Sequence, residues 1–354
     1  MTIAIDCRMV NASGIGVYLR GALPWFFNTD NNFFLIGNFN DLQQYKSLKN
    51  ITIITCNVKP FSINELVFFP KEILKQINKA DIFYSPFFNI PCGIKIPVYT
   101  TIHDIIFADI PGLSSRIGFA VRMRFFKRAY IKSKKIFTVS EFSKSRINHH
   151  LGNEKEIIVT YSAIQQMFLD YKSSLINKKE TIVFIGNIKK HKGLDCLLDA
   201  YKAARDEGLT YKLVIIGSNN NFRSSDKAIL KKIESIGNII FTGFISDNEL
   251  MEHLCSASLL VQPSLYEGFC LPPLEAMTLG TQVLISDIPV LKEVYEGFPV
   301  TFFKTNNSND LKEKLLELLY KKTIITLSIQ EHLLSKYTFK KTASVILDNL
   351  QPAF

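Results

Sequence analysis

The chain has 354 residues, of which 47% are hydrophobic, and carries a formal net charge of +10; that is more than one typical core holds and enough for two domains. No apolar run reaches the roughly 18–20 residues of a membrane span, and the six cysteines (Cys7, Cys56, Cys92, Cys196, Cys255 and Cys270) are scattered without a CxxC pair, which argues for reduced cytoplasmic thiols and against a disulfide framework or zinc site. The positive balance favours phosphates or an acidic membrane surface as partners; without an RNA-binding signature or zinc finger, nucleic acid is the weaker reading.

The N-terminus, MTIAIDCRMV, lacks the basic and apolar regions of a signal peptide and reads as a first strand, Ile3–Cys7. Directly after it, SGIGVYLRGAL opens a helix; Gly14 and Gly16 permit close backbone approach to a phosphate, but the third glycine of a dinucleotide fingerprint is missing. Further strands are expected at Phe33–Ile36, Ile51–Thr55, Asp81–Tyr84 and Pro97–Thr101, the last leading into TIHDIIFADIP with His103 and Asp104 at its mouth. Between Ile110 and Ser140 there is no acid, but Arg116, Arg122, Arg124, Lys127, Arg128, Lys132, Lys134 and Lys135 alternate with apolar residues. This pattern reads as a basic amphipathic helix able to lie on an anionic membrane, at about 1 kcal/mol per cation; an ordinary surface helix fits the same residues. Strands at Ile136–Val139 and Ile157–Val159 complete the first domain, residues 1–165.

Patterning fades over residues 166–180, which read as a linker. The second domain, 181–338, is expected to carry strands at Thr181–Ile185, Lys212–Ile216, Ile239–Phe241, Leu259–Val261 and Gln282–Ile285. Its helix Leu194–Ala204 places apolar residues at i, i+3, i+4 and i+7. Residues 339–354 form a final helix expected to pack back toward the first domain. Alternating strands and helices imply two doubly wound α/β domains with parallel sheets, facing a central cleft.

The stretch SLYEGFCLPPLEAM (264–277) sets Glu267 and Glu275 eight positions apart around two prolines. Prolines suit the first turn of a helix and disfavour helical geometry in the residue before them, so Gly268–Leu271 is expected to be extended ahead of a helix at Pro273–Leu279. Both carboxylates then accept hydrogen bonds from vicinal hydroxyls. A capped helix with two solvated acids is the alternative.

PSLYEGFCLPPLEAMTLGTQV resembles the E-x7-E signature of retaining nucleotide-sugar glycosyltransferases of family 4, which have the GT-B fold. The resemblance implies that Glu267 contacts donor-sugar hydroxyls, that Glu275 holds the ribose, and that the amides of Gly268, Phe269, Cys270 and Leu271 line sugar and phosphates. FIGNIKKHKGLDCLLDA (184–200) resembles the diphosphate-gripping segment, with Gly186 and Asn187 ahead of Lys192 as the phosphate lysine. IIGS (215–218), with Gly217, and GFIS (243–246), with Phe244, fall at the nucleotide side; SGIGVYLRGAL resembles the N-terminal glycine loop. The H-D setting of His103 and Asp104 resembles that of the family's histidine near the transferred sugar. SPFFNIP (85–91) and VSEFSK (139–144) are similar to stretches on the acceptor side. Three positions depart from the pattern: Cys270 replaces a glycine, Asn187 stands where arginine is frequent, and His191 precedes Lys192 in place of arginine.

The resemblance further implies a metal-independent hexosyltransferase without a cofactor, peripheral to the inner face of the cytoplasmic membrane. GDP-mannose is the expected donor, with UDP- or dTDP-sugars as alternatives, and a lipid-linked O-antigen or capsule saccharide the expected acceptor. A GT-B sugar-nucleotide epimerase and a non-catalytic sugar-nucleotide-binding subunit are the readings from other classes.

Overall fold

A computed structural model describes residues 1–171, 177–217, 226–320 and 331–352. The chain divides into two compact units, Met1–Gln165 with Tyr337–Phe354, and Gln166–Lys336. In the first unit β1 (Thr2–Asp6), β2 (Asn32–Gly37), β3 (Ile51–Thr55), β4 (Ile82–Ser85), β5 (Val98–Thr101), β6 (Ser133–Thr138) and β7 (Ile157–Val159) pair in parallel in the order β3-β2-β1-β4-β5-β6-β7. All residues of β4 and β5 are buried. A parallel sheet covered by helices on both faces demands this, and it is why these strands carry no charged residue and show no alternation of inward and outward positions.

The C-terminal helix Phe339–Asn349 belongs to this unit and packs on the helix Ser13–Phe27. Gly21 makes the contact possible: a Cβ there would lie 2.2 Å from the Phe339 ring. Thr342 donates to the Thr160 carbonyl at 3.2 Å, and the Tyr99 hydroxyl meets the Gln351 backbone at 3.0 Å. The basic stretch is helical over Arg116–Lys132, N-capped by Ser115, whose hydroxyl accepts from the Gly118 amide. Lys134 and Lys135, read from the sequence as part of that helix, instead lie in β6.

The second unit pairs β8 (Lys179–Ile185), β9 (Lys212–Ile216), β10 (Ile239–Gly243), β11 (Ala257–Gln262), β12 (Gln282–Ser286) and β13 (Thr301–Phe303) in parallel, in the order β10-β9-β8-β11-β12-β13. Ile182, Phe184, Leu213, Ile215, Leu259 and Val261 form one core with Leu194, Leu197, Leu198 and Tyr201 of the helix Leu194–Asp206. The helix Asp247–Ser256 starts with a capping box in which Ser246 and Glu249 satisfy each other's backbone amides. The segment expected as a linker carries a helix at Gln166–Asp170 with Phe168 buried, and β8 already starts at Lys179; residues 172–176 lie outside the described residues.

Strand order reverses between β1 and β4 in one unit and between β8 and β11 in the other. At such a switch point the loops leave to opposite faces and open a crevice beyond the strand ends, where ligands bind in this architecture. Among the described residues no helix is long and apolar enough to cross a membrane.

Candidate functional site

The switch point of the second unit is built from the loops after β8 and β11. The chain leaves β8 through Gly186 and Asn187, makes a single 3-10 turn at Lys190–Lys192, and enters the helix Leu194–Asp206 through Gly193. Gly193 has φ of +67°, and a Cβ there would lie 1.8 Å from the Pro263 carbonyl oxygen. Only glycine lets the two loops approach this closely. The Leu265 amide then donates to the His191 carbonyl at 2.7 Å and ties them together.

This approach brings together side chains 75 positions apart. The Lys192 ammonium donates to both oxygens of Glu267, at 2.7 Å to Oε1 and 2.9 Å to Oε2. Ser264 donates to the same Oε1 at 2.7 Å and itself receives the Gln262 amide at 3.2 Å. The Ser286 hydroxyl donates to the Ser264 carbonyl. Burial alone would raise the Glu267 carboxyl, but Lys192 and the Ser264 hydroxyl outweigh it and hold the group below its ordinary range. His191 is pushed down to about 4, by burial and then by Lys192 beside it, and is neutral at pH 7.

Glu275 sits on the short helix Pro272–Thr278 and is buried. Among the described residues no side chain forms a hydrogen bond or ion pair with its carboxyl. Burial, then the charge of Asp247, pushes it up to about 8, so it is mostly protonated at pH 7. Two carboxyls of one signature thus have opposite characters: Glu267 is ionised and paired, and Glu275 is neutral and unpaired. Gly217, at the end of β9, packs against the loop after β8, where a Cβ would lie 2.2 Å from the Gly186 carbonyl oxygen. Phe244, beyond β10, is 88% exposed. Ser218 lies outside the described residues.

In the first unit, His103 follows β5 and is neutral, burial pushing it down to about 4. Its Nε2 lies 2.9 Å from the Pro86 carbonyl, which only accepts, so Nε2 carries the proton and Nδ1 is left as an acceptor. The ring meets the edge of Tyr18 with centroids 4.9 Å apart. Asp104 caps the following turn by accepting the Ile106 amide at 3.1 Å. Of the two loop glycines, Gly16 is buried, with its Cβ position 2.5 Å from the Val10 carbonyl, whereas Gly14 is exposed with open space around it. Gly16 is therefore required by packing, and Gly14 leaves the backbone approachable.

On the helix Arg116–Lys132 the exposed side carries Arg116, Ile117, Val121, Arg124, Lys127 and Ile131. Arg122 stacks on Phe107, with 4.3 Å from its guanidinium carbon to the ring centroid. Arg128 is half-buried and donates to the Ile90 and Pro91 carbonyls.

Residues 168–338 match the family model described as glycosyl transferases group 1. That span coincides with the second unit to within two residues at each end. The second unit is a glycosyl transferases group 1 domain. Over 180 residues the chain is 32% identical to the O-antigen chain mannosyltransferase RfbU of Salmonella typhimurium, covering 49% of this chain and 48% of the relative. An uncharacterised glycosyltransferase of Methanocaldococcus jannaschii is 32% identical over 200 residues, 55% of this chain and 52% of the relative. The chain thus spans about half the length of the curated relatives it matches. Anabaena HepE, solved in complex with UDP-glucose, superposes with a TM-score of 0.74 at 15% identity over 98% of both chains. With two doubly wound units, the shared fold is GT-B.

Within the group 1 domain one expectation is corrected. Gly268–Leu271 is not extended: Cys270 lies in the left-handed region at φ of +75°, Leu271 is already helical at φ −70° and ψ −35°, and the helix begins at Pro272. The Tyr295 hydroxyl donates to the Cys270 carbonyl and holds the turn, overriding the local effect of proline on its predecessor. The left-handed backbone also gives a physical reason for glycine at this position in the family pattern. Here a cysteine takes that conformation, at a cost of about 1–2 kcal/mol. Its thiol is buried, and burial, then the charge of Glu267, pushes it well above its ordinary range.

Ser264, Gln262 and Tyr295 were not singled out from the sequence. Ser264 carries a signal, three positions before Glu267; Tyr295, 25 positions from Cys270, carries none. Among the described residues no group of three or more His, Cys, Asp or Glu side chains could hold a metal ion.

Proposed function

We propose that this chain is a retaining glycosyltransferase that moves a sugar, in our reading mannose from GDP-mannose, to a growing lipid-linked surface polysaccharide. The observation that carries the reading is the Lys192–Glu267 pair at the switch point of the group 1 domain, with the unpaired Glu275 on the helix that follows. A nucleotide-sugar needs three things: a cation for its diphosphate, an ionised acceptor for sugar hydroxyls, and an acceptor for the ribose. Lys192, Glu267 and Glu275 supply them in that order. As the anomeric C–O bond breaks, negative charge grows on the leaving phosphate, and Lys192 with the loop amides of 268–271 stabilises it. The acceptor hydroxyl enters on the same face and its proton passes to the leaving phosphate, which keeps the anomeric configuration. In the first unit, neutral His103 presents Nδ1 as an acceptor suited to a saccharide hydroxyl. The mannose assignment draws on the likeness to the Salmonella relative, whose name states that activity.

The test is sugar transfer to lipid-linked saccharides, with GDP-, UDP- and dTDP-sugars supplied one at a time. One of them should yield an extended saccharide with its anomeric configuration kept. Conversion to an altered nucleotide-sugar without an acceptor product would show an epimerase instead.

We also propose that the helix Arg116–Lys132 rests on the anionic inner face of the cytoplasmic membrane. Ile117, Val121 and Ile131 are 79%, 49% and 69% exposed among exposed cations, and the helix contains no acid. Apolar insertion and lipid charge then act on the same face. Vesicles containing phosphatidylglycerol should bind the chain at least about tenfold better than phosphatidylcholine vesicles at low salt, and charge reversal at Arg124 and Lys127 should remove the difference. Equal binding to both vesicle types would refute the assignment.

A further inference from the structure

Resting on the donor reading above, we infer that Glu267 makes the site discriminate between an intact nucleotide-sugar and the spent nucleoside diphosphate. The ammonium that a diphosphate must take is already engaged. Lys192 donates to both Glu267 oxygens, at 2.7 and 2.9 Å, and Ser264 donates to the same carboxylate. Ser264 is in turn fixed by Gln262 and by the hydroxyl of Ser286 on its carbonyl, so the carboxylate is held in place and does not follow Lys192 outward. Glu267 is only 9% exposed, so water is a poor substitute for a cation that leaves.

A diphosphate that draws Lys192 toward itself therefore strips a buried carboxylate of its counter-charge and brings further negative charge near it. An attached sugar compensates, because its hydroxyls donate charge-assisted hydrogen bonds to the same oxygens. A nucleoside diphosphate without a sugar has nothing to offer Glu267. After transfer, Lys192 returns to Glu267 and the spent nucleotide is displaced. Glu267 thus serves as a specificity-determining group that favours the loaded donor over its own product.

The test is the ratio of dissociation constants, nucleoside diphosphate over nucleotide-sugar, by calorimetry on the whole chain. The probes are GDP with GDP-mannose, UDP with UDP-glucose, and dTDP with dTDP-glucose. For the pair that binds, Glu267→Gln should bind the nucleoside diphosphate at least tenfold tighter than the unchanged chain does, and the ratio should fall at least tenfold. Glu267→Ala, with its fold checked by melting, should shift the ratio in the same direction and covers the case in which the glutamine variant does not fold. If Glu267 merely positions Lys192, both ligands weaken together and the ratio stays constant, which overturns the inference while leaving the donor reading intact. Binding of none of the three pairs to the unchanged chain would remove the donor reading and this inference with it.

Discussion

Methionine in place of Lys192 should lower sugar transfer by at least about a hundred- to a thousandfold, because removing one preorganised group from developing charge costs about 2.7–4 kcal/mol. Loss of a contact made chiefly in the transition state lowers kcat more than it raises KM, so the split between the two is the informative reading. The same change alters stability in a way that identifies the mechanism. In the unchanged chain Lys192 holds the Glu267 carboxyl below its ordinary range despite burial, so the stability this group contributes is present at neutral pH and lost as pH falls through its folded pKa. Without Lys192, burial is left with little opposition and the carboxyl rises above its unfolded value. The sign then reverses: the variant is most stable below that unfolded value, and stability is lost as pH rises through the folded pKa. Melting followed from pH 4 to pH 8 checks this. A variant that retains transfer, or whose pH profile matches that of the unchanged chain, would show that Lys192 and Glu267 do not act as a pair.

The second large effect is expected in the first unit, from Arg8→Met. Arg8 follows β1 at the switch point, with a side chain only 2% exposed between Asp6 and Glu65. Its Nε donates to Asp6 Oδ1 at 2.9 Å, and its other nitrogens reach Asp6, Glu65 and the Val58 carbonyl. Glu65 also accepts the Phe61 amide at 2.7 Å and the Asn89 side-chain amide. Burial already raises the Glu65 carboxyl, even though Arg8 opposes the rise. Removing the guanidinium strands two buried carboxylates, a loss of about 3–5 kcal/mol. Because Glu65 then rises further, the deficit should be largest at neutral pH and shrink as pH falls toward its unfolded value. Urea unfolding at pH 7 and pH 5 measures both. A loss under about 1 kcal/mol, within the range of ordinary surface substitutions and mild core changes, would show that the cluster does not lock residues 58–65 onto the sheet.

Much of the fold was readable because parallel strands buried on both faces, such as β9 and β11, are short runs rich in Leu, Ile and Val with helical patterns between them. β13 was not read as a strand; its three residues directly follow a loop that contains Gly297 and Pro299. The strand order, and with it the two switch points, depends on long-range pairing and has no local signature. The site shows the same division. Glu267, Glu275 and Lys192 carry chemistry in their identities, and a long ordered pattern surrounds them. Arg8, Glu65 and Asn89 are joined only by the fold, 57 and 24 positions apart in the pairs they form. The backbone at Cys270 was misjudged because the two prolines after it speak for an extended chain, while the hydroxyl that bends it comes from Tyr295. Nor does sequence reveal that one carboxyl of the signature is ionised and the other neutral, since burial and neighbours set both.

That last difference gives the most direct test of the claim that the group 1 domain holds a nucleotide-sugar. Hydroxyl donors on Glu275 favour its charged form, so binding should lower its pKa from about 8 and release a proton at pH 7. Affinity should accordingly rise with pH and level off above that value. A nucleotide-sugar is the suitable ligand, because its diphosphate does not titrate in this range. In calorimetric titrations at pH 7 with GDP-, UDP- and dTDP-sugars, run in two buffers of different ionisation enthalpy, one of these ligands should saturate a single site and release about one proton; the release should disappear in Glu275→Gln. No binding by any of them, or binding with no proton released, would contradict the account.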